Sequence, residues 1–322
     1  MVRVIKGPIT SEVHVITPFV HQVVRLHNSP GTDGASVDVY NIVDIRQSAN
    51  LEVGMRIHTD VDNSQRIFYS DLNGFQMQQR KYYHKLTLQG NVYPMPTMAY
   101  LQDKNKRVSV LSAQSAGVAN LVPGAIDVMF DRRLNQDDNR GLGQGVLDNH
   151  PTPSRFRLLF ESRLQNIEDP DPETSFPSLL GHLSSLALIH PIFVMPRGQA
   201  ATEPNMSSSL SLLTRPLSCE LHLLNVRTLQ NSDDQHELQY VPKETSLLLL
   251  RHLPSDCSFL SPSLSCTPGE GKVKLSDLFS VAEVKKSTQT SLTMNKNLVD
   301  LSPSVNLQVE PMEIMAIQVH LS

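Results

Sequence analysis

Short runs in which apolar and polar side chains alternate recur along most of this chain, with turn clusters between them. They comprise Ser11 to Val15, Val23 to His27, Val37 to Asp44, Val53 to Thr59, Arg66 to Tyr69, Arg107 to Leu111, Ala125 to Phe130 and Phe156 to Glu161. The stretches Asn28-Ser29-Pro30-Gly31, Asp33-Gly34, Asp71-Leu72-Asn73-Gly74 and Val122-Pro123-Gly124 carry the residues that reverse a backbone. Strands this short, with no helices alternating between them, build antiparallel sandwiches rather than a parallel α/β sheet. The fold class expected is therefore all-β. One helical pattern interrupts it: Ser175 to Leu188 opens on Ser-Phe-Pro and places Leu179, Leu180, Leu183 and Leu186 at helical spacing.

An acidic, proline-containing hinge, Glu168 to Glu173, precedes that helix and marks the expected domain boundary. The organisation expected is a main β domain over 1–170, a helix and exposed linker over 171–212, and a second β domain over 213–322. In the last, Glu220 to Val226, Thr245 to Leu250, Lys272 to Leu275 and Glu313 to Leu321 read as strands, and no internal repeat is evident. Asn205-Met206-Ser207, in the polar stretch from Gly198 to Ser211, is a glycosylation sequon that matters only in the secretory pathway.

Charge is concentrated at one place. Asp131 to Gly141 packs three acids and three arginines directly after the apolar run of Ile126, Val128 and Phe130. Charges that dense are costly to desolvate unless they pair or meet a polar partner. Gly141, Gly143 and Gly145 follow, so the backbone can turn sharply or approach another surface. The segment is either a self-paired cluster pinning a loop, which pattern alone favours, or a contact surface on which Arg140 offers a planar fork of donors.

A net charge of −4 and a pI near 6.3 give no electrostatic reason to expect nucleic-acid or acidic-membrane partners. No apolar run approaches the roughly 20 residues that a membrane helix needs. Met1 to Pro8 lacks the apolar core of a signal peptide, so a cytosolic chain or the rear part of a longer one is expected. Of three cysteines, Cys257 and Cys266 flank a turn-like stretch and are candidates to bridge, leaving Cys219; three buried thiols is the alternative.

Catalytic motifs are scarce. The chain has no Gly-x-Ser-x-Gly elbow and no P-loop, and acids precede Gly141-Leu142-Gly143-Gln144-Gly145, which would repel a phosphate. His58 and Asp60 share a strand face, as two metal ligands would, but a solvated face is the expected reading. Arg80-Lys81-Tyr82-Tyr83-His84-Lys85 reads as a strand with its cations in water rather than as a nucleic-acid surface.

The motif Asp131-Arg132-Arg133-Leu134-x-Gln136-Asp137-Asp138-Asn139-Arg140-Gly141-Leu142 resembles the signature of the C-terminal half of glycoside hydrolase family 38, the retaining α-mannosidases. Asn41 to Arg46, Tyr69 to Gln76, Gln89 to Met95, Leu111 to Ser115, Pro177 to Leu183 and Glu310 to Ile314 are similar to the Golgi α-mannosidase II branch. The resemblance covers nearly the whole chain, with Gly198 to Leu212 and Leu260 to Glu270 divergent.

That resemblance implies a galactose-mutarotase-like antiparallel supersandwich, a linking helix and a smaller C-terminal sandwich. It implies trimming of mannose from N-glycans in the Golgi lumen by double displacement, with two carboxyl groups about 5–5.5 Å apart. The family's nucleophile, acid/base and zinc ligands belong to a catalytic part upstream and are not in this sequence, so no catalytic or metal residue is assigned here. By resemblance Arg140 reaches the substrate, with Asp137 and Asp138 holding its guanidinium. The chain is then scaffold plus a substrate-side loop, inactive alone, with an exposed sheet edge where earlier strands would lie. Two other classes remain: a free-standing, non-catalytic carbohydrate-binding β-sandwich and a purely structural interaction module.

Overall fold

The computed structural model describes residues 1–137, 139, 141, 143–164, 174–195, 209–230, 242–259, 264 and 269–322. Two compact units partition the chain: Met1–Phe193 with Ser255–Ser265, and Val194–Pro254 with Cys266–Ser322. Every described strand pairing is antiparallel, as the short alternating runs require.

The strands of the first unit are β1 (Val2–Lys6), β2 (Thr10–Ile16), β3 (Val20–His27), β4 (Ser36–Val43), β5 (Leu51–His58), β6 (Ile67–Leu72), β7 (Gln76–Lys81), β8 (Tyr93–Met95), β9 (Met98–Gln102), β10 (Lys106–Ser112), β11 (Ala116–Ala119), β12 (Ala125–Arg133), β13 (Thr152–Ser162) and β14 (Thr174–Ser175). Ten of them form one sheet in the order β1-β2-β3-β4-β13-β10-β9-β6-β7-β14, and β5-β12-β11-β8 form a second. Val39, Phe68, Leu101, Val110 and Phe156 of the large sheet share one core with Val118, Ile126 and Val128 of the small one. The opposite face of the large sheet is buried too: Met77, Tyr100, Leu111 and Leu159 pack with Leu180 of the helix α1 (Leu179–Ile189). A sheet covered on both faces loses its polar alternation, which is why β9, Met-Ala-Tyr-Leu-Gln, does not stand out in the sequence.

The helix begins later than its spacing suggests. Ser178 caps it, accepting from the Gly181 amide at 2.9 Å, while Thr174 and Ser175 pair with β7 as a short strand. It packs on β10 and β13 within the first unit, where a linker position was expected. Residues 255–265 also return to this unit, which no linear division anticipates. The strand expected over Arg80 to Lys85 ends at Lys81. Beyond it Tyr82 lies under the Arg66 guanidinium, 3.3 Å from ring centroid to Cζ, and the Tyr83 amide donates to Asn91 Oδ1 at 2.7 Å. These contacts turn the chain out of the sheet. β1 lies at the margin of the large sheet, with Val2 and Val4 68% and 61% exposed.

The second unit holds β15 (Leu221–Gln230), β16 (Pro242–His252), β17 (Lys272–Lys274), β18 (Val284–Thr290), β19 (Asn297–Leu301), β20 (Asn306–Gln308) and β21 (Ile314–Leu321). The order is β15-β16-β21-β18-β19, with β17-β20 as a separate pair. Leu248 and Leu250 of β16 join Leu275, Val309 and, from the central strand β21, Ile317 and Val319 in its core. Cys219 is disulfide-bonded, whereas Cys257 is a free, exposed thiol. The bridge weighed for Cys257 is therefore not formed; Cys266 and the Asn205 sequon lie outside the described residues.

One polar node ties the first unit together. Arg107 of β10 is fully buried. Its guanidinium lies between the rings of Tyr100 and Phe259, at 4.0 and 4.1 Å from their centroids. It donates to Gln102 Oε1 at 2.9 Å, to the Phe176 carbonyl at 3.0 Å and to Asp256 Oδ2 at 2.7 Å. Removing one partner of a buried pair strands the other. Arg107→Ala is therefore expected to cost about 3–5 kcal/mol in denaturant unfolding, and Arg107→Lys to recover only part, because an ammonium lacks the fork.

Two buried carboxyls respond to pH in opposite senses. Burial raises Glu161 above 4.5, outweighing the Ser178 hydroxyl and Arg107 that lower it. Burial also raises Asp38, but hydrogen bonding and charge from Arg157, at 2.8 Å, hold it below 3.8. Stability from Asp38 is present above its unfolded value and is lost as pH falls through the folded one. That from Glu161 is present below pH 4.5 and is lost as pH rises through its folded value. Stability measured from pH 3 to 8 should thus have a shallower acid-side slope in Asp38→Asn, because other lowered carboxyls such as Glu12 and Asp103 remain, and Glu161→Gln should be the more stable protein at neutral pH.

Candidate functional site

The charged segment continues β12 past a register shift between Met129 and Asp131. Such an irregularity re-aims side chains, and here it sends Phe130 onto Phe156, with centroids 5.5 Å apart. Asp131 and Arg132 meanwhile line an open groove of about 750 Å³. Glu52, Gln89, Ser115 and Met129 contribute to the same groove.

A ladder of polar contacts fixes the loop that follows. Leu134 and Val146 exchange backbone hydrogen bonds at 3.1 and 2.9 Å, closing the base of residues 134–146. Gly145 sits so close there that a Cβ would meet the Leu134 carbonyl oxygen at 2.2 Å. Arg133 donates to the carbonyls of Ser48 at 3.0 Å and Leu147 at 2.6 Å, and to Asn149 Oδ1 at 3.1 Å. Asn149 in turn donates to Asp131 Oδ1 at 3.0 Å and to the Arg132 carbonyl at 2.9 Å. Asp131 Oδ2 is buried without a partner. The acids and arginines of the described part therefore do not pair with one another. Asp131 accepts from an amide and Arg133 donates mainly to carbonyls, while two further charges of the segment, Asp138 and Arg140, are not among the described residues.

Asp137 lies on this loop and accepts from the Asn139 amide at 2.9 Å, an Asx turn. Asn139 has φ 58 and Gly143 φ 68, so the tip is built of left-handed turns. Asp138 and Arg140 lie outside the described residues. Nothing in the sequence marks Glu52, Gln89 or Asn149 as site residues. Asn149 stands in a polar stretch, Asp-Asn-His-Pro, that looks like any loop, so no signal marked it.

The described residues do not fit the family's zinc. Among them no three His, Cys, Asp or Glu side chains converge on a point where an ion would sit, and the Asp60 carboxylate is taken by Lys106. The groove instead offers carboxylate acceptors, amide and hydroxyl groups, one guanidinium and apolar side chains. That set suits a polyhydroxyl ligand or a polar protein surface.

Residues 1–140 match the glycosyl hydrolases family 38 C-terminal domain. Alpha-mannosidase 2x of Mus musculus is 43% identical over 327 residues, covering 100% of this chain and 28% of the relative. Alpha-mannosidase 2 of Homo sapiens is 40% identical over 323 residues, covering 99% and 28%. The chain thus spans about 28% of the length of these curated relatives. Among solved structures, an alpha-mannosidase from Enterococcus faecalis V583 superposes with a TM-score of 0.57 over 99% of this chain and 35% of its own. At 10% identity that likeness concerns the fold alone.

If Arg133 anchors the loop, Arg133→Ala should raise amide exchange at Leu134 and Val146 while exchange in β10 stays unchanged. The loss of these hydrogen bonds is expected to cost about 1.5–3 kcal/mol of local stability. Uniform loss of protection across the unit would mean that Arg133 holds the fold, not the loop.

Proposed function

From a chain that carries the C-terminal domain of glycosyl hydrolases family 38, we infer the β part of a retaining α-mannosidase that trims mannose from N-glycans in the Golgi lumen. The observation that carries this reading is similarity to alpha-mannosidases 2x and 2 along practically the whole chain. In this reading the chemical step and the zinc belong to the remainder of those longer proteins. The present chain supplies the sandwich that holds a loop, and the loop meets the sugar. Arg140 presents two parallel donors to mannose hydroxyls or a bridging water, and Asp137 and Asp138 steady it. The anchoring of the loop base by Arg133 and Asn149 supports this division: a loop that positions a substrate group needs a rigid root.

Two measurements test it. The 322-residue chain, assayed alone with an aryl α-mannoside and Zn2+, is expected to show no turnover above background. Turnover would place catalytic groups in this chain and overturn the reading. In a complete α-mannosidase carrying the same loop, Arg140→Ala should lower kcat/KM by roughly ten- to a hundredfold, about 1.5–3 kcal/mol, with the melting temperature kept. Arg140→Lys should restore it only in part. Unchanged kinetics beside a lower melting temperature would make the loop scaffold.

A further inference from the structure

On the outer side of β2 and β3, away from the loop and its groove, two imidazoles face each other across the ladder. His14 Nδ1 and His21 Nε2 are 3.3 Å apart, and the ring centroids are 5.5 Å apart at 38°. The other nitrogen of His14, Nε2, lies 2.8 Å from Glu12 Oε2. A carboxylate can only accept, so Nε2 carries the proton, and Nδ1, the nitrogen nearest His21, keeps its lone pair. Glu12 is itself fixed, since Arg25 Nε donates to its Oε1 at 2.6 Å.

We propose that His14 and His21 are a two-imidazole site for a divalent transition-metal cation, Zn2+ in the first place, with Glu12 as the carboxylate that orients His14. Zn–N bonds of about 2.0–2.1 Å at a tetrahedral angle set two ligand nitrogens about 3.3–3.4 Å apart. The separation of 3.3 Å found here matches that edge. The carboxylate on the far nitrogen is the arrangement that fixes tautomer and ring orientation in imidazole–metal sites. Both histidines keep some exposure, so water completes the coordination sphere. The charges nearby do not draw a cation: Arg25 offsets Glu12, and Arg3 lies opposite His14 in the ladder. Affinity therefore comes from imidazole ligation, and the preference is for metals that nitrogen donors suit, not for Mg2+ or Ca2+.

The experiment is calorimetric titration of Zn2+, and separately of Mg2+, into the 322-residue chain carrying Cys257→Ser, which removes the exposed thiol as a competing ligand. Zn2+ is expected to bind with a defined stoichiometry and Mg2+ not to bind. His14→Ala and His21→Ala should each weaken Zn2+ at least tenfold, and Glu12→Gln severalfold. Long-range nitrogen NMR of the unsubstituted histidines gives an independent readout, with Zn2+ shifting His14 Nδ1 and His21 Nε2 and leaving His58 and His320 unmoved. Equal Zn2+ affinity in the parent and the two alanine variants would overturn the proposal. So would NMR shifts confined to other histidines, and the pair would then be a plain hydrogen bond between strands.

Discussion

A guanidinium with no access to water sits in the middle of the ten-stranded sheet, and much of the first unit is arranged to receive it. Arg107 brings three regions of the chain together: its own hairpin through Gln102, the segment before the helix through the Phe176 carbonyl, and the returning segment through Asp256 and Phe259. Desolvating a charge this completely costs more than its pairing with Asp256 returns unless every donor is also satisfied. Two aromatic faces and two further acceptors meet that condition. Tyr100, one of those faces, is buried enough for its own hydroxyl to be pushed up to about 12, and it donates to Ser175 at 2.5 Å. The node specifies which segments may cover this face of the sheet, whatever its net contribution to stability.

The same logic separates what could be read in the sequence from what could not. A strand with one wet face, such as β5, announces itself by alternation. The helix announces itself by leucine spacing and lost only its first turn, to the cap at Ser178. β9 is apolar on both faces and β7, Gln-Met-Gln-Gln-Arg-Lys, is polar on most of its positions. Both exist because neighbours pair with them, a tertiary cause that a local pattern does not carry. The return of Ser255–Ser265 to the first unit is of the same kind. It is held by Arg107, by a bridge between Arg163 and Phe259, and by backbone bonds to Leu164 and Pro177, all distant in sequence.

At the candidate site the legible part was the motif and the illegible part its wiring. The density of charge between Asp131 and Gly141 marked the place, but not the partners that Asp131 and Arg133 would meet. The pleat and the register shift after Met129 point successive residues in different directions. Arg133 therefore turns to carbonyls of neighbouring loops, and Asp131 to Asn149. Backbone carbonyls leave no trace in a sequence, so a guanidinium that binds them looks unpartnered until the fold is known.

This wiring bears on how a loop so rich in charge and glycine is held in place. Gly143 adopts a left-handed conformation, and Gly145 lies against the Leu134 carbonyl. A glycine at such a position is demanded by space, and it costs backbone entropy on folding. The loop can carry that cost because its two ends are held by Leu134, Val146 and three bonds from Arg133. Fixity at the base of the loop is therefore the product of a few residues.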